Sequence, residues 1–213
     1  YSGDAEDYGY LLEADDGYDE SWKFTTANYI PFLFKDDGND EMLSYATAFV
    51  RGVEDKLYAG NYSAAFEQLD LTSFVDFWLI QEIMMNSEMK HPKSVYMYLN
   101  RGKIYAGPIW DFDWNTLPVS TSYAEEGYSY TKSMLEKAKP YHKRSGYPSE
   151  PIEDDDKNYV WYPMLVKDAT FKALTAERWG QVKNMLLSYV ETIPAKAAAM
   201  KTSEALNNAM WPV

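Results

Sequence analysis

Cysteine is absent from all 213 residues, and histidine occurs only twice, as His91 and His142. No disulfide framework and no thiolate metal site can be built, and imidazole ligation is limited to those two rings. Long apolar runs are missing too: Phe77–Ile80 is cut short by Gln81 and Glu82, far below the ~18 residues of a membrane span. Basic residues are scarce, with 20 Lys and Arg against 33 Asp and Glu, giving a net charge of −13. Such a surface repels nucleic-acid phosphates and anionic lipid. A nucleotide is still accepted where a metal offsets the local charge. There is no fixed-period repeat, which excludes a solenoid, and no glycine-rich phosphate loop. The opening residues Tyr1-Ser2-Gly3-Asp4 lack a basic and apolar leader pattern, so any targeting segment is expected to lie outside the chain.

Hydrophobic residues make up 46% of the chain and aromatics 16%, enough for one folded domain with a sizeable core. Tyr10–Glu13, Trp22–Thr26 and Ile30–Phe34 read as short strands, the third demoted by Pro31 to an edge or a strand start. Asn39 or Asp40 can cap a helix whose stripe is Met42, Tyr45, Ala46, Phe49, Val53 and Leu57, ending at Gly60. From Ser73 to about Met89 apolar residues cover nearly every side, which predicts a central buried helix, with Met84 and Met85 as core filling. Ser94–Leu99 and Ile104–Trp110 then form a hairpin about Gly102. Periodicity fades over 118–158, predicting a long surface loop, functional or mobile by its length, with one helical turn near Ser133–Ala138. Helices resume at Tyr159–Val166, Thr170–Leu174, Ala176–Val190 and Ala195–Asn208, the last two separated by Pro194. The fold class is α+β and mainly helical.

Two carboxylates one residue apart, Asp111 and Asp113, follow the second hairpin strand in Gly107-Pro108-Ile109-Trp110-Asp111-Phe112-Asp113. Alternation along an extended chain turns both toward one point, and oxygen ligands suit Mg²⁺ or another hard divalent cation. The competing reading is a solvated turn after a buried strand. Asn86-Ser87-Glu88 at the end of the buried helix adds a third carboxylate just before the hairpin. Helix, polar loop with a carboxylate, hairpin and metal-holding Asp is also the order by which protein-kinase-like lobes place a catalytic carboxylate beside the cation on nucleotide phosphates.

On these residues the chain resembles the CotH kinase family, named for spore coat protein H, and in particular its secreted or surface-attached members from gut bacteria. Gly9-Tyr10-Leu11-Leu12-Glu13 is similar to a family strand. Gln81-Glu82, Asn86, His91-Pro92-Lys93-Ser94-Val95-Tyr96-Met97-Tyr98, Gly102-Lys103 and the Gly-Pro-x-Trp-Asp-Phe-Asp run are similar to its signature region, and weaker likeness continues through Trp161-Tyr162 to Glu177-Arg178-Trp179. The resemblance implies a protein-kinase-like C-terminal lobe, ATP and a divalent metal such as Mg²⁺ as cofactors, phosphorylation of protein hydroxyls, and a secreted or surface location. Asp111 resembles the metal-binding aspartate, with Asp113 beside it, and Glu88 falls where the catalytic carboxylate, usually Asp, is expected. Glu13 would line the nucleotide pocket from the strand joining the two lobes, and Asn86, His91, Lys93 and Ser94 would support the site, with Lys93 and Ser94 on the cofactor.

The family pattern is not complete. Glu88 is one methylene longer than Asp, which moves a base by about an ångström. Lys93 and Ser94 stand where protein kinases carry a second metal-contacting Asn. The chain opens at the Gly-Tyr-Leu-Leu-Glu strand, so the nucleotide-covering lobe is expected to lie outside it, and the chain alone is expected to transfer no phosphate.

Two other functions compete with the kinase reading. A catalytically silent surface-interaction or carbohydrate-binding module would use exposed aromatics among the 19 Tyr and seven Trp, although Trp78, Trp110 and Trp179 are expected in the core. A glycosidase could pair Glu88 with Asp111. His91 reads as a hydrogen-bonding loop residue. Asp15-Asp16, Asp36-Asp37 and Glu153–Asp156 read as solvated turns, none fitting a calcium loop.

Overall fold

The computed structural model describes residues 4–15, 17–86, 89, 93–112, 116, 133 and 160–212. Two units divide the chain, 1–174 and 175–213. The first contains a five-stranded antiparallel sheet of order β2-β3-β1-β4-β5, made by β1 (Gly9–Ala14), β2 (Lys23–Thr25), β3 (Pro31–Phe34), β4 (Val95–Asn100) and β5 (Lys103–Ala106). Pro31 begins β3, where its missing N–H costs no ladder bond, so β3 sits inside the sheet between β2 and β1.

Alternation decides which face is buried. Tyr10, Leu12 and Ala14 of β1 share a side with Val95, Met97 and Leu99 of β4, and these join one apolar core. Helix α1 (Asp40–Tyr58) covers that side with Met42, Ala46, Val50, Val53 and Leu57 buried. Its N-cap is Asn39, whose side chain accepts the Met42 N–H at 2.9 Å. After the short α2 (Tyr62–Phe66) comes α3 (Leu71–Met84), capped by Asp70, whose carboxylate accepts the Ser73 N–H at 2.8 Å.

Helix α3 is shorter and less enclosed than its composition predicts. Phe74, Val75, Phe77, Trp78 and Gln81 are buried, whereas Leu79, Ile80, Met84 and Met85 are half-buried and Ile83 is exposed. Met85 ends the helix by taking a left-handed backbone, φ 51°. Nothing local signals this, since the position carries neither Gly nor Asn. The hairpin turn is Arg101-Gly102, both at positive φ, which matches the twist of the flanking strands.

The second hairpin strand also ends early, at Ala106 rather than Trp110. Gly107 still donates its N–H to Tyr96 at 2.9 Å but adopts φ 109°, and Pro108 has no donor to continue the ladder. The free edge of β5 is occupied by the chain before α3. The Ile104 N–H donates to the Gln68 carbonyl and the Ile104 carbonyl accepts the Asp70 N–H, each at 2.8 Å, and the Ala106 N–H donates to the Ser73 hydroxyl at 3.0 Å.

The C-terminal helices are α4 (Tyr162–Leu165) and α5 (Ala169–Met210). Tyr162 stacks on Trp78 at 4.8 Å and on Phe77 at 6.2 Å, and burial pushes its hydroxyl pKa well above the usual tyrosine value. Asp168 caps the start of α5 by accepting the Phe171 N–H at 2.9 Å. Pro194 does not separate two helices; it lies inside α5. The Ala- and Met-rich stretch after it favours helix strongly enough to carry the helix past the lost bond to Val190. Trp179 is 42% exposed on α5, against the expectation of a core position. The predicted loop over 118–158 and its helical turn lie outside the described residues, Ser133 apart.

Candidate functional site

Antiparallel pairing gathers three chain ends at one end of the sheet. The last residues of β1, the first of β4 and the last of β5 are neighbours, because Ala14 opposes Val95 and Ala106 opposes Met97. Glu13, Asp15, Lys93, Ser94, Tyr96 and the segment from Gly107 onward therefore share that end. Glu88, His91 and Asp113 lie outside the described residues. Asn86 is buried and donates its N–H to the Gln81 carbonyl at 3.1 Å.

Glu13 is nearly covered and is engaged inside the sheet. Its carboxylate meets Lys35 at 2.8 Å, and Lys35 also reaches Glu20 at 2.8 Å. The hydrogen bond to Glu13, then that to Glu20, holds the Lys35 ammonium above the ordinary lysine pKa. Tyr96 lies directly across from Glu13. Burial first, then the negative charge of the Glu13 carboxylate, raises the Tyr96 hydroxyl pKa above the usual value.

Asp15 was expected in a solvated turn, yet it is only 8% exposed. Its carboxylate accepts the Gly17 N–H at 2.5 Å and the Ser94 N–H at 3.1 Å, and lies 3.5 Å from the Lys93 ammonium. Ser94 is left-handed, φ 50°, a conformation that costs a non-glycine residue about 1 kcal/mol or more unless neighbours fix it. Asp15 is that neighbour. A Cβ on Gly17 would sit 2.7 Å from the Asp15 Oδ1, too close for either atom to stay. Gly17→Ala is therefore expected to displace the carboxylate, to cost about 1 kcal/mol and to speed hydrogen exchange at the Ser94 amide; unchanged exchange there would contradict the clamp.

Asp111 does not belong to a strand. It follows the break at Gly107, is exposed, and has φ 51°, so alternation gives no basis for pairing it with Asp113. Among the described residues no group of three or more His, Cys, Asp or Glu could hold a metal ion. A single exposed carboxylate still suits Mg²⁺, which keeps several waters and takes one or two protein carboxylates together with phosphate oxygens. Trp110, expected in the core, is 56% exposed and packs edge to face with Tyr96 at 6.0 Å. Tyr98 and Tyr105 stack across β4 and β5 at 4.6 Å. A separate cleft of about 190 Å³ at the other end of β1 is lined by Gly9, Tyr10, Leu11, Phe34, Asp36, Asp37 and Met42. None of the predicted site residues lines it.

Sequence reasoning passed over Asp15, Ser73 and the exposure of Trp110. Only the last had a local signal, since Gly107-Pro108 stops a strand before the chain reaches Trp110. The family model described as CotH kinase protein matches residues 3–211. No curated protein and no solved structure matches the chain.

Proposed function

Since the chain belongs to the CotH kinase family, we propose that it binds a nucleoside triphosphate together with a divalent cation, as part of a kinase-like protein that directs the terminal phosphoryl group toward a protein hydroxyl. The observation that carries this reading is the convergence of the β1, β4 and β5 ends, which sets exposed Asp111 at the same sheet end as Lys93 and Ser94. Asp111, with Asp113 as a further carboxylate, would hold the cation. When bound, that cation neutralises charge on the phosphate oxygens. Lys93, half-exposed beside Asp15, offers a positive charge to the phosphates. The Asp15 carboxylate fixes the backbone from which Lys93 and Ser94 project, and Glu88 is the candidate base toward the hydroxyl. Positioning of this kind supplies most of the acceleration in phosphoryl transfer.

Thermal denaturation tests the binding step. At a ligand concentration about a hundred times Kd, MgATP is expected to stabilise the chain by about 2.7 kcal/mol and to raise its Tm accordingly. Asp111→Asn is expected to abolish that gain. Equal melting with and without MgATP would remove the nucleotide reading. A second reading, a silent surface module, draws on exposed Trp110, Tyr98 and Ile109. Binding of a glycan panel in the absence of any response to MgATP would favour it.

A further inference from the structure

We infer that α5 joins two copies of this chain as an antiparallel coiled coil, an association that stands apart from the nucleotide reading because no residue of the candidate site takes part. Among the described residues of the unit 175–213 this helix is the one element, so nothing within the unit covers an apolar face. From Trp179 onward an apolar residue recurs every seven, at Trp179, Leu186, Ile193 and Met200, and Val182, Tyr189 and Met210 stand at the fourth position of the same repeat. Val182 and Leu186 are half-buried and the other five are exposed. Apolar first and fourth positions in a seven-residue repeat form the seam of a two-stranded coiled coil, here about 48 Å long at 1.5 Å per residue. A monomer rarely leaves so long an apolar face to water. Pro194, one residue past Ile193, falls off the seam, and the helix runs through it.

Charge decides what covers the face and in which direction it runs. The whole chain carries −13, yet α5 from Thr175 on has four basic residues against three acidic ones, so two copies meet here without the repulsion that acts elsewhere. Lys183 and Glu204 both occupy the fifth position of the repeat, beside the seam; they are exposed, and neither has an ion pair among the described residues. An antiparallel pair that sets Leu186 opposite Ser203 and Tyr189 opposite Met200 of the second copy brings Lys183 beside the second copy's Glu204, twice by symmetry. The same register covers exposed Met185 with Leu206. A parallel pair instead brings Arg178 against the second copy's Lys183, a repulsive contact, and gives Glu204 no cation. Lys196 is the one charge at a seam position. Its ammonium lies 4.0 Å from the centroid of the Tyr189 ring on its own helix, which offsets the cost of covering it, and a lone polar seam residue fixes register at the expense of stability.

Sedimentation equilibrium of the full chain tests the association. The unmutated chain is expected to dimerise with a Kd tighter than about 100 µM. Lys183→Glu is expected to weaken the dimer about tenfold, since two symmetric contacts turn from attraction to repulsion, and Lys183→Glu combined with Glu204→Lys to restore it. Both side chains are exposed, so the reversals leave the fold intact. The chain has no cysteine, which lets introduced thiols report direction. Leu186→Cys and Ser203→Cys chains, mixed and mildly oxidised, are expected to form a disulfide with each other and neither with itself, because the antiparallel register holds like positions about 25 Å apart at 1.5 Å per residue. A chain that stays monomeric at about 100 µM would overturn the association. Tighter dimerisation of Lys183→Glu, or coupling of Ser203→Cys to itself, would overturn the antiparallel arrangement. A dimer indifferent to the charge reversals that also yields no cross-link would move the interface off α5.

Discussion

Trp161→Ala is expected to lower the stability of the domain by about 3–5 kcal/mol, the range for truncating a fully buried aromatic ring, with the urea midpoint falling and the slope of the transition unchanged. Trp161 is 0% exposed. Its indole lies 6.1 Å from the Phe32 ring and stacks on Phe74 at 6.4 Å, so it joins the sheet to α3 from the far end of the sequence. Its Nε1–H donates to the Glu54 carboxylate at 3.0 Å, which adds α1 to the junction. Removing the ring leaves a cavity bounded by three rigid elements that cannot close over it, and it strips one donor from a buried carboxylate. Both effects act in the same direction. Trp161→Phe separates them, because it refills most of the volume without restoring the donor. It is expected to cost about 1–2 kcal/mol, and an equal loss in both variants would contradict the packing argument.

The elements that were legible in the sequence are those whose period is local. The stripe from Met42 to Leu57, the Asn39 cap and the alternation in β1 and β4 are written within a few residues, and the structure has them at or near the predicted places. Features set by partners far along the chain were not legible. Asp15 reads as an acidic turn because its partner, the Ser94 amide, is 79 residues away. The left-handed Met85 that ends α3 contradicts local preference, whereas the continuation of α5 through Pro194 rests on the helix-favouring residues that follow it, which the weight given to proline overlooked. At the candidate site, Glu13, Lys93 and Ser94 were named from resemblance and share one sheet end, but spacing alone could not reveal that the Glu13 carboxylate is committed to Lys35. The strand argument for pairing Asp111 with Asp113 overlooked the stop that Gly107 and Pro108 impose.

Glu54→Leu is the second large effect, and the residue shows how a charge on an apolar stripe should be read. Val50, Val53, Glu54 and Leu57 lie on one buried face of α1, so a carboxylate there must have partners or be expelled. Glu54 is 0% exposed and has three. Its Oε1 accepts the Asn28 backbone N–H at 3.1 Å and the Asn28 side-chain amide at 2.8 Å, and its Oε2 accepts the Trp161 indole at 3.0 Å. The carboxylate thus ties the β2–β3 connection, α1 and the start of α4 together, and all its incoming groups are donors. Leucine offers none of them an acceptor. Asn28 is half-buried and can turn to water, but the Trp161 N–H cannot, so the expected loss is about 2–3 kcal/mol, most of it from that one orphaned donor. Glutamine distinguishes this account from a simple packing effect. It matches the shape of glutamate but presents one acceptor and one amide, so either Asn28 or Trp161 faces a donor. Glu54→Gln is therefore expected to cost about 1–2 kcal/mol in spite of its shape. The double variant Glu54→Gln with Trp161→Phe is expected to lose less than the sum of its parts, because the indole donor is then already gone. Strict additivity in urea denaturation would show that the two side chains do not act through their hydrogen bond.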